Sequence, residues 1–369
     1  IYLLNRFLDE ESMMKIRIVL ADTDEKYIDH FIRAFKIYYF NEVDIVTFSD
    51  STALKKYISS RAYDILLSVA SLLPKEAEEK SMILTSEMGI KEMNGRPAIC
   101  KYQKVENLYK GILDTIAEQK SGITYSYETS KESPVIAFTS AAGGVGKTTA
   151  ALVYTRQLVK KGFQVMYLSL ESFSNIDYFL NAEGSSNFSN VLFAVKCGKG
   201  NLQMKIESSL KQTYGGVYFF SKPMNPNEID ELDQNEWNEF LDAVRAMGKF
   251  HCIVIDLPCA NEDTAKKIMP LSDRVLFITD GSDTTTEKTQ TLMTCISKYD
   301  EVNGSDLSTK VSVIQNKCEG PRREIGLPIL AELPYVKETR MEKLIMDTLV
   351  NAENASLLSI YQPGGQEYV

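Results

Sequence analysis

Within the stretch TSAAGGVGKTT, Thr139 to Thr149, glycines, a lysine and two threonines stand at a spacing that suits a polyphosphate. Gly143, Gly144 and Gly146 can take positive φ and leave room for phosphate oxygens. Successive backbone N–H groups, those of Val145 and Thr149 included, then point into the turn, and a following helix N-terminus adds its positive end. Lys147 has the reach for β- and γ-phosphates, and Thr148 can place a hydroxyl on Mg²⁺. Ala141 stands where the strict pattern G-x-x-x-x-G-K-[ST] has its first glycine. A glycine-rich turn with an incidental Lys-Thr pair is the alternative, but it leaves the flanking elements unexplained: PVIAFTS (134–140) reads as a strand, and AALVYTRQLVKKG (150–162) as a helix stopped at Gly162.

The elements that must hold this loop alternate along the whole chain. From residue 134 onward, FQVMYLSL (163–170), GVYFFS (216–221), HCIVIDLP (251–258), RVLFITD (274–280) and KVSVIQN (310–316) are near-continuous apolar runs, as expected of parallel strands covered on both faces. Before the loop, KIRIVLAD (15–22), VDIVTFS (43–49), YDILLSVA (63–70), SMILTSE (81–87) and RPAICKY (96–102) read as strands. Helical patterns at 25–39, 51–61 and 105–119 fall among them. SGITYSYETSKES (121–133), poor in large aliphatics, reads as a linker. The pattern predicts an α/β protein of two domains, 14–120 and 134–369, each built on a mainly parallel sheet. Residues 1–12 are left unassigned.

Composition narrows the functions. The 369 residues are 44% hydrophobic and 25% charged, an ordinary globular balance. No apolar run approaches the roughly 18 residues of a membrane span, and no secretory signal is read, so a cytoplasmic protein without membrane insertion is expected. The net charge is −9, with −2 over residues 1–125 and −7 over the rest, which weighs against nucleic acid as a partner. Six scattered cysteines form no CxxC pair and are expected to be reduced and mostly buried. The two histidines, His30 and His251, have no partners at metal-ligand spacing, which removes a zinc site and a Ser-His-Asp triad.

The second half resembles the MinD/ParA group of P-loop ATPases, through AGGVGKTT and the order of the motifs behind it. The resemblance implies ATP and Mg²⁺ as cofactors and a MinD/ParA-type P-loop NTPase fold with a mainly parallel sheet. In HCIVIDLP it places Asp256 at the end of the Walker B strand near Mg²⁺, as a metal residue beside Thr148. In VSVIQNK it makes Asn316 the reader of the adenine edge, and in GLPILAELPYV (326–336) it brings Pro334 and Tyr335 to the base. The family loop carries an additional lysine where this chain has Ala142, and that lysine reaches a partner's phosphates in a nucleotide-sandwiched dimer. The family's D-x-D-like pair is replaced by Ser169 and Glu171. Lys147 and Glu171 remain as the catalytic candidates, a solvated loop carboxylate being the alternative for Glu171. The implied outcome is firm binding with slow or absent hydrolysis.

Residues 14–120 resemble a response-regulator receiver, a flavodoxin-like parallel sheet, through IRIVLADTDE, YDILLSVASLLP, Thr85 and Lys101. The phosphoacceptor position falls on Ser68 or Val69, and neither can form an acyl phosphate. Asp22 and Asp24 then read as a strand-end carboxylate and a helix cap. A degenerate receiver joined to a MinD/ParA-like ATPase is similar to the TadZ/CpaE family, which places tight-adherence (Flp-type) pilus machinery at a cell pole. That resemblance implies an ATP-bound homodimer and pilus or secretion proteins as partners of the receiver-like domain. Two other readings are a ParA-like DNA segregation ATPase and a MinD-like membrane-cycling regulator. The acidic balance and Ala142 oppose the first, and the tail LLSIYQPGGQEYV, without Lys or Arg, opposes the second.

Overall fold

A computed structural model of the chain describes residues 15–40, 42–74, 77, 80–119, 133–180, 186–198, 200–213, 215–319, 329–337, 339 and 341–360. Residues 1–12, nearly all of the linker at 121–133 and the tail from 361 lie outside the described residues. The chain forms two compact units, one from Ile1–Glu128 with Gly198–Ser208, the other from Thr129–Cys197 with Ser209–Val369.

The first unit contains β1 (Ile16–Ala21), α1 (Glu25–Tyr38), β2 (Val43–Phe48), α2 (Ser51–Ser60), β3 (Ile65–Val69), β4 (Ser81–Thr85), β5 (Glu92–Met93), β6 (Arg96–Cys100) and α3 (Val105–Gln119). Its sheet runs β2-β1-β3-β4-β6-β5, parallel except for the short β5–β6 pair. β1, β3 and β4 are almost wholly buried, as their unbroken apolar runs require. Asp24 caps α1 by accepting from the Lys26 and Tyr27 amides, the role read from the sequence.

The second unit contains β7 (Val135–Thr139), α4 (Lys147–Lys160), β8 (Val165–Ser169), α5 (Ile176–Phe179), α6 (Ser189–Cys197), β9 (Lys211–Gln212), β10 (Val217–Phe219), α8 (Gln234–Ala246), β11 (Cys252–Asp256), α9 (Asp263–Ile268), β12 (Arg274–Thr279), α10 (Asp283–Asn303), α11 (Leu307–Lys310), β13 (Val311–Cys318), β14 (Ile329–Pro334) and α12 (Glu342–Asn351), while α7 (Leu202–Ser209), between α6 and β9 in the chain, packs in the first unit. Its sheet runs β14-β13-β12-β7-β11-β8-β10-β9, parallel except for β9 against β10. β7 and β11 lie near the middle of that order, and every residue of both is buried. Loops leaving the carboxyl ends of neighbouring strands therefore converge beside β7, the place where open parallel sheets bind ligands.

Residues 198–208, which the sequence grouped with the second domain, pack in the first unit. Met204 of α7 joins the apolar cluster of Ile112 and Ile116 on α3. Lys205 pairs with Asp114 at 2.7 Å and Glu118 at 3.5 Å, and Ser208 donates to Asp114. At Gly200, with φ +83, a side chain would run into the Ala117 carbonyl, so only glycine lets the segment approach α3 this closely.

The cysteines depart in part from expectation. All six are free thiols, but Cys197 and Cys295 are exposed and only Cys100 and Cys252 are buried. Both exposed thiols sit on helices, where one face meets solvent whatever the residue type. Among the described residues no helix is long and apolar enough to cross a membrane.

Candidate functional site

The phosphate loop springs from buried β7 and ends at Gly146, which caps α4 with φ +95. A side chain at 146 would overlap the Asn316 amide, so the close packing of loop and β13 end demands glycine. Asn316 Nδ2 donates to the Val145 carbonyl at 2.8 Å. Lys317 Nζ donates to the Gly144 carbonyl at 2.8 Å. The loop's carbonyls are thus held from the β13 side.

A cavity of about 610 Å³ opens there, a size suited to a small ligand. Gly143, Gly144, Gly146, Lys147, Thr148 and Thr149 line it from the loop. Glu171 follows β8, Asn316 lies two residues before the end of β13 at Cys318, and Pro334 and Tyr335 stand at the end of β14. The residues singled out in the sequence are therefore brought to one cavity, with two exceptions. Val145 puts its side chain in the core and can take part only through its main chain. Asp256, 1% exposed, sits behind the loop in contact with Thr148.

Thr148 Oγ1 donates to Asp256 Oδ2 at 2.8 Å, and the Tyr167 hydroxyl donates to the same oxygen at 3.1 Å. Asp256 Oδ1 is buried with no hydrogen-bond partner among the described residues. A buried carboxylate oxygen left unmatched next to a threonine hydroxyl and a phosphate cradle fits Mg²⁺, a hard cation that takes oxygen ligands. Burial, seconded by the charge of Glu171, pushes the Asp256 carboxyl from 3.8 up to about 7, against the pull of Thr148, Lys147 and Tyr167. Burial, with Asp256 behind it, also pushes the Tyr167 phenol far above its usual range, so it stays a donor at neutral pH.

The sign of the resulting pH dependence is fixed. The folded protein holds the Asp256 proton more tightly than the unfolded chain. This group's stability contribution is therefore fully present below about pH 4 and lost as pH rises through about 7. The shift corresponds to on the order of 4 kcal/mol. Asp256→Asn is expected to remove most of that dependence and raise the ligand-free unfolding midpoint at pH 8, measured by thermal melts across pH 4–9. An unchanged pH profile would contradict the assignment.

Lys147 Nζ lies 3.2 Å from Glu171 Oε1, so this carboxylate engages the ammonium that an incoming anion would have to win. Glu171 is about one-third exposed, and such pairs contribute up to about 1 kcal/mol. Glu171→Gln should therefore tighten nucleotide binding by up to about fivefold, read by fluorescent-nucleotide titration. Weaker binding would show instead that Glu171 helps hold the ligand.

Ala142 is partly buried against the core, and its carbonyl accepts from Ser140 Oγ at 2.6 Å. Among the described residues the cations lining the cavity are Lys147 and Lys317. Sequence reasoning missed Tyr167 and Lys317. The only signals were a tyrosine two positions before the end of β8, beside β11, and a lysine directly after Asn316.

In the first unit, Lys101 follows β6 and pairs with Asp22 at 2.8 Å, both buried. Its ammonium also lies over the Tyr27 and Tyr102 rings. Burial desolvates Lys101 and would lower its pKa, but the Asp22 pair outweighs this and raises it. Ser68 is fully buried on β3 with its hydroxyl turned to the Val69 carbonyl, and Val69 ends the strand. Thr85 ends β4 and accepts from the Glu87 amide. A receiver's lysine and acidic residue are present without its phosphoacceptor carboxylate.

Comparison with known proteins agrees with both halves. Residues 14–117 match the family model described as TadZ-like, receiver domain, and residues 133–309 match one described as an AAA domain. The chain thus carries a TadZ-like receiver domain followed by a domain that matches the AAA model. A ParA family ATPase from Chlorobium tepidum is 14% identical, with a TM-score of 0.50, over 61% of this chain and 96% of its own; at that identity it shows the fold alone. MinD from Aquifex aeolicus is 17% identical (TM-score 0.47, 60% of this chain, 92% of that one). The septum site-determining protein MinD from Pyrococcus horikoshii, complexed with Mg-ADP, is 19% identical (0.46, 58% and 86%). No curated protein matches the chain.

Proposed function

We propose that the protein is an ATP-binding, ATP-dimerising polar-localisation factor for assembly of a tight-adherence pilus machinery, with weak or absent hydrolysis. The observation that carries this reading is a complete phosphate cradle, with Lys147, Thr148 and Asp256 in place, whose loop has Ala142 where the related ATPases have a lysine. Lys147 and the loop amides hold the phosphates, and Thr148 with Asp256 holds Mg²⁺, which neutralises phosphate charge when bound. Asn316 keeps its carbonyl oxygen for the base, since one amide hydrogen is committed to Val145. Pro334 and half-exposed Tyr335 flank the base, and exposed Phe173 and Met341 offer apolar surface to a second copy. The TadZ-like receiver, unable to accept a phosphoryl group, binds partner proteins of the pilus machinery.

Light scattering of the purified protein with and without ATP and Mg²⁺ tests the core of this. A doubling of mass with ATP, absent in Lys147→Ala, is the expected outcome, and a monomer at saturating ATP would overturn it. ATP-dependent, salt-sensitive binding to DNA would favour a segregation ATPase instead. ATP-dependent pelleting with liposomes would favour a membrane-cycling regulator.

A further inference from the structure

Lys317 is not part of the phosphate-loop motif, yet three independent features surround it. Its ammonium donates to the Gly144 carbonyl at 2.8 Å, and the neighbouring Asn316 holds the next carbonyl, that of Val145. Its backbone sits at φ +56, a left-handed conformation that is strained for a non-glycine residue, and such outliers gather at ligand clamps. It lines the same cavity as the loop's Gly143, Gly144 and Lys147. Asp280, at the end of β12, shares its neighbourhood. Burial tends to raise that carboxylate, but donors from Thr285 and Ser282, with Lys317 behind them, lower it. The charge of Lys317 thus reaches Asp280 without a direct contact between them.

A peptide group is rigid, so fixing its carbonyl on one side fixes the direction of its N–H groups on the other. Two successive loop peptides, following Gly144 and Val145, are gripped this way. Their amides belong to Val145 and Gly146, which the cradle must present to phosphate. We propose that Lys317 is a positioning residue of the nucleotide site: it pins the Gly144 carbonyl so that the loop's amides face the phosphates before a ligand arrives. The strained backbone at 317 is the cost of aiming the side chain back over the loop. In a loop with only one lysine of its own, this contact keeps a second cation at the cavity. It acts on the carbonyl face, so it organises the cradle and does not replace the phosphate-directed charge missing at Ala142.

This inference rests on the nucleotide reading, and the experiment separates the two. Fluorescent ADP would be titrated with Mg²⁺ into the full chain as wild type, Lys317→Met, Lys317→Arg, Lys317→Gly and Lys147→Ala. Amide exchange of Gly143–Gly146 would be followed without nucleotide. Lys317→Met keeps the stem and loses the charge, and one charge-assisted hydrogen bond partly in solvent corresponds to about fivefold weaker binding. Lys317→Arg is expected to recover most of that loss. Lys317→Gly removes the strain, so it should melt at or above the wild-type temperature while binding as weakly as Lys317→Met, which shows that the loss is not one of folding. Loop amides should exchange faster in both. Wild-type affinity and exchange in Lys317→Met and Lys317→Gly would overturn the brace while leaving the nucleotide site standing. No binding by wild type, like that of Lys147→Ala, would overturn the nucleotide reading and the brace with it.

Discussion

Lys147→Ala is expected to weaken Mg²⁺-nucleotide binding about 100-fold or more and leave the fold intact. Lys147 is 8% exposed at the first turn of α4, and its ammonium faces the cavity beside Glu171. Hydrogen bonds to charged groups contribute about 1.5–3 kcal/mol each, and an ammonium shared between two phosphates makes two of them. Folding does not need the lysine, because its ion pair among the described residues is with a part-exposed carboxylate of small worth. Removing it also frees Glu171, whose charge then opposes an incoming phosphate and deepens the loss. Calorimetric titration with Mg²⁺-ADP checks this. A loss below tenfold would mean that backbone amides alone carry the binding.

The largest expected effect on stability lies in the other unit. Lys101→Met leaves Asp22 buried at 1% exposure with its charge uncompensated, apart from the Asp24 amide that donates to it. Breaking one side of such a pair costs about 3–5 kcal/mol, a large part of a domain's stability. The double variant Asp22→Asn, Lys101→Met should regain most of the loss, because removing both charges removes the burial penalty too. Amide exchange in β1 and β4 is the readout, since the single tryptophan, Trp237, reports on the second unit. A loss below about 1 kcal/mol would mean that the pair is a remnant and not a structural lock. No phosphoryl donor should label the first unit in either form, because Ser68 and Val69 offer no carboxylate.

The parts legible in the sequence were those governed by local pattern. Buried parallel strands announce themselves as unbroken apolar runs, so β7, β8, β11, β12 and β13 fell where the runs stood. The phosphate loop was legible because glycines, Lys147 and Thr148 act through positions fixed by one turn. The cap at Asp24 was legible for the same reason. What stayed hidden depends on distant residues. LQMKIESS in α7 is a short amphipathic stretch, and nothing in it tells that Met204 and Lys205 meet α3 about ninety positions earlier. Val145 looks like any loop residue until the core takes its side chain. The two-residue strands β5 and β9 carry no periodicity. Lys317 stood in plain view after Asn316, but its meaning depends on a positive φ that turns it toward Gly144.

The central claim is a site that holds nucleotide and hydrolyses it slowly or not at all, and phosphate release tests it most directly. The purified chain would be incubated with ATP and Mg²⁺, retained nucleotide quantified in parallel, and Lys147→Ala used as the blank. Retained ATP with phosphate release at or barely above the blank is the expected result, as a loop with Ala142 and no added lysine should give. Rapid, Lys147-dependent turnover would contradict the account and show that a cation from elsewhere supplies the charge missing at Ala142.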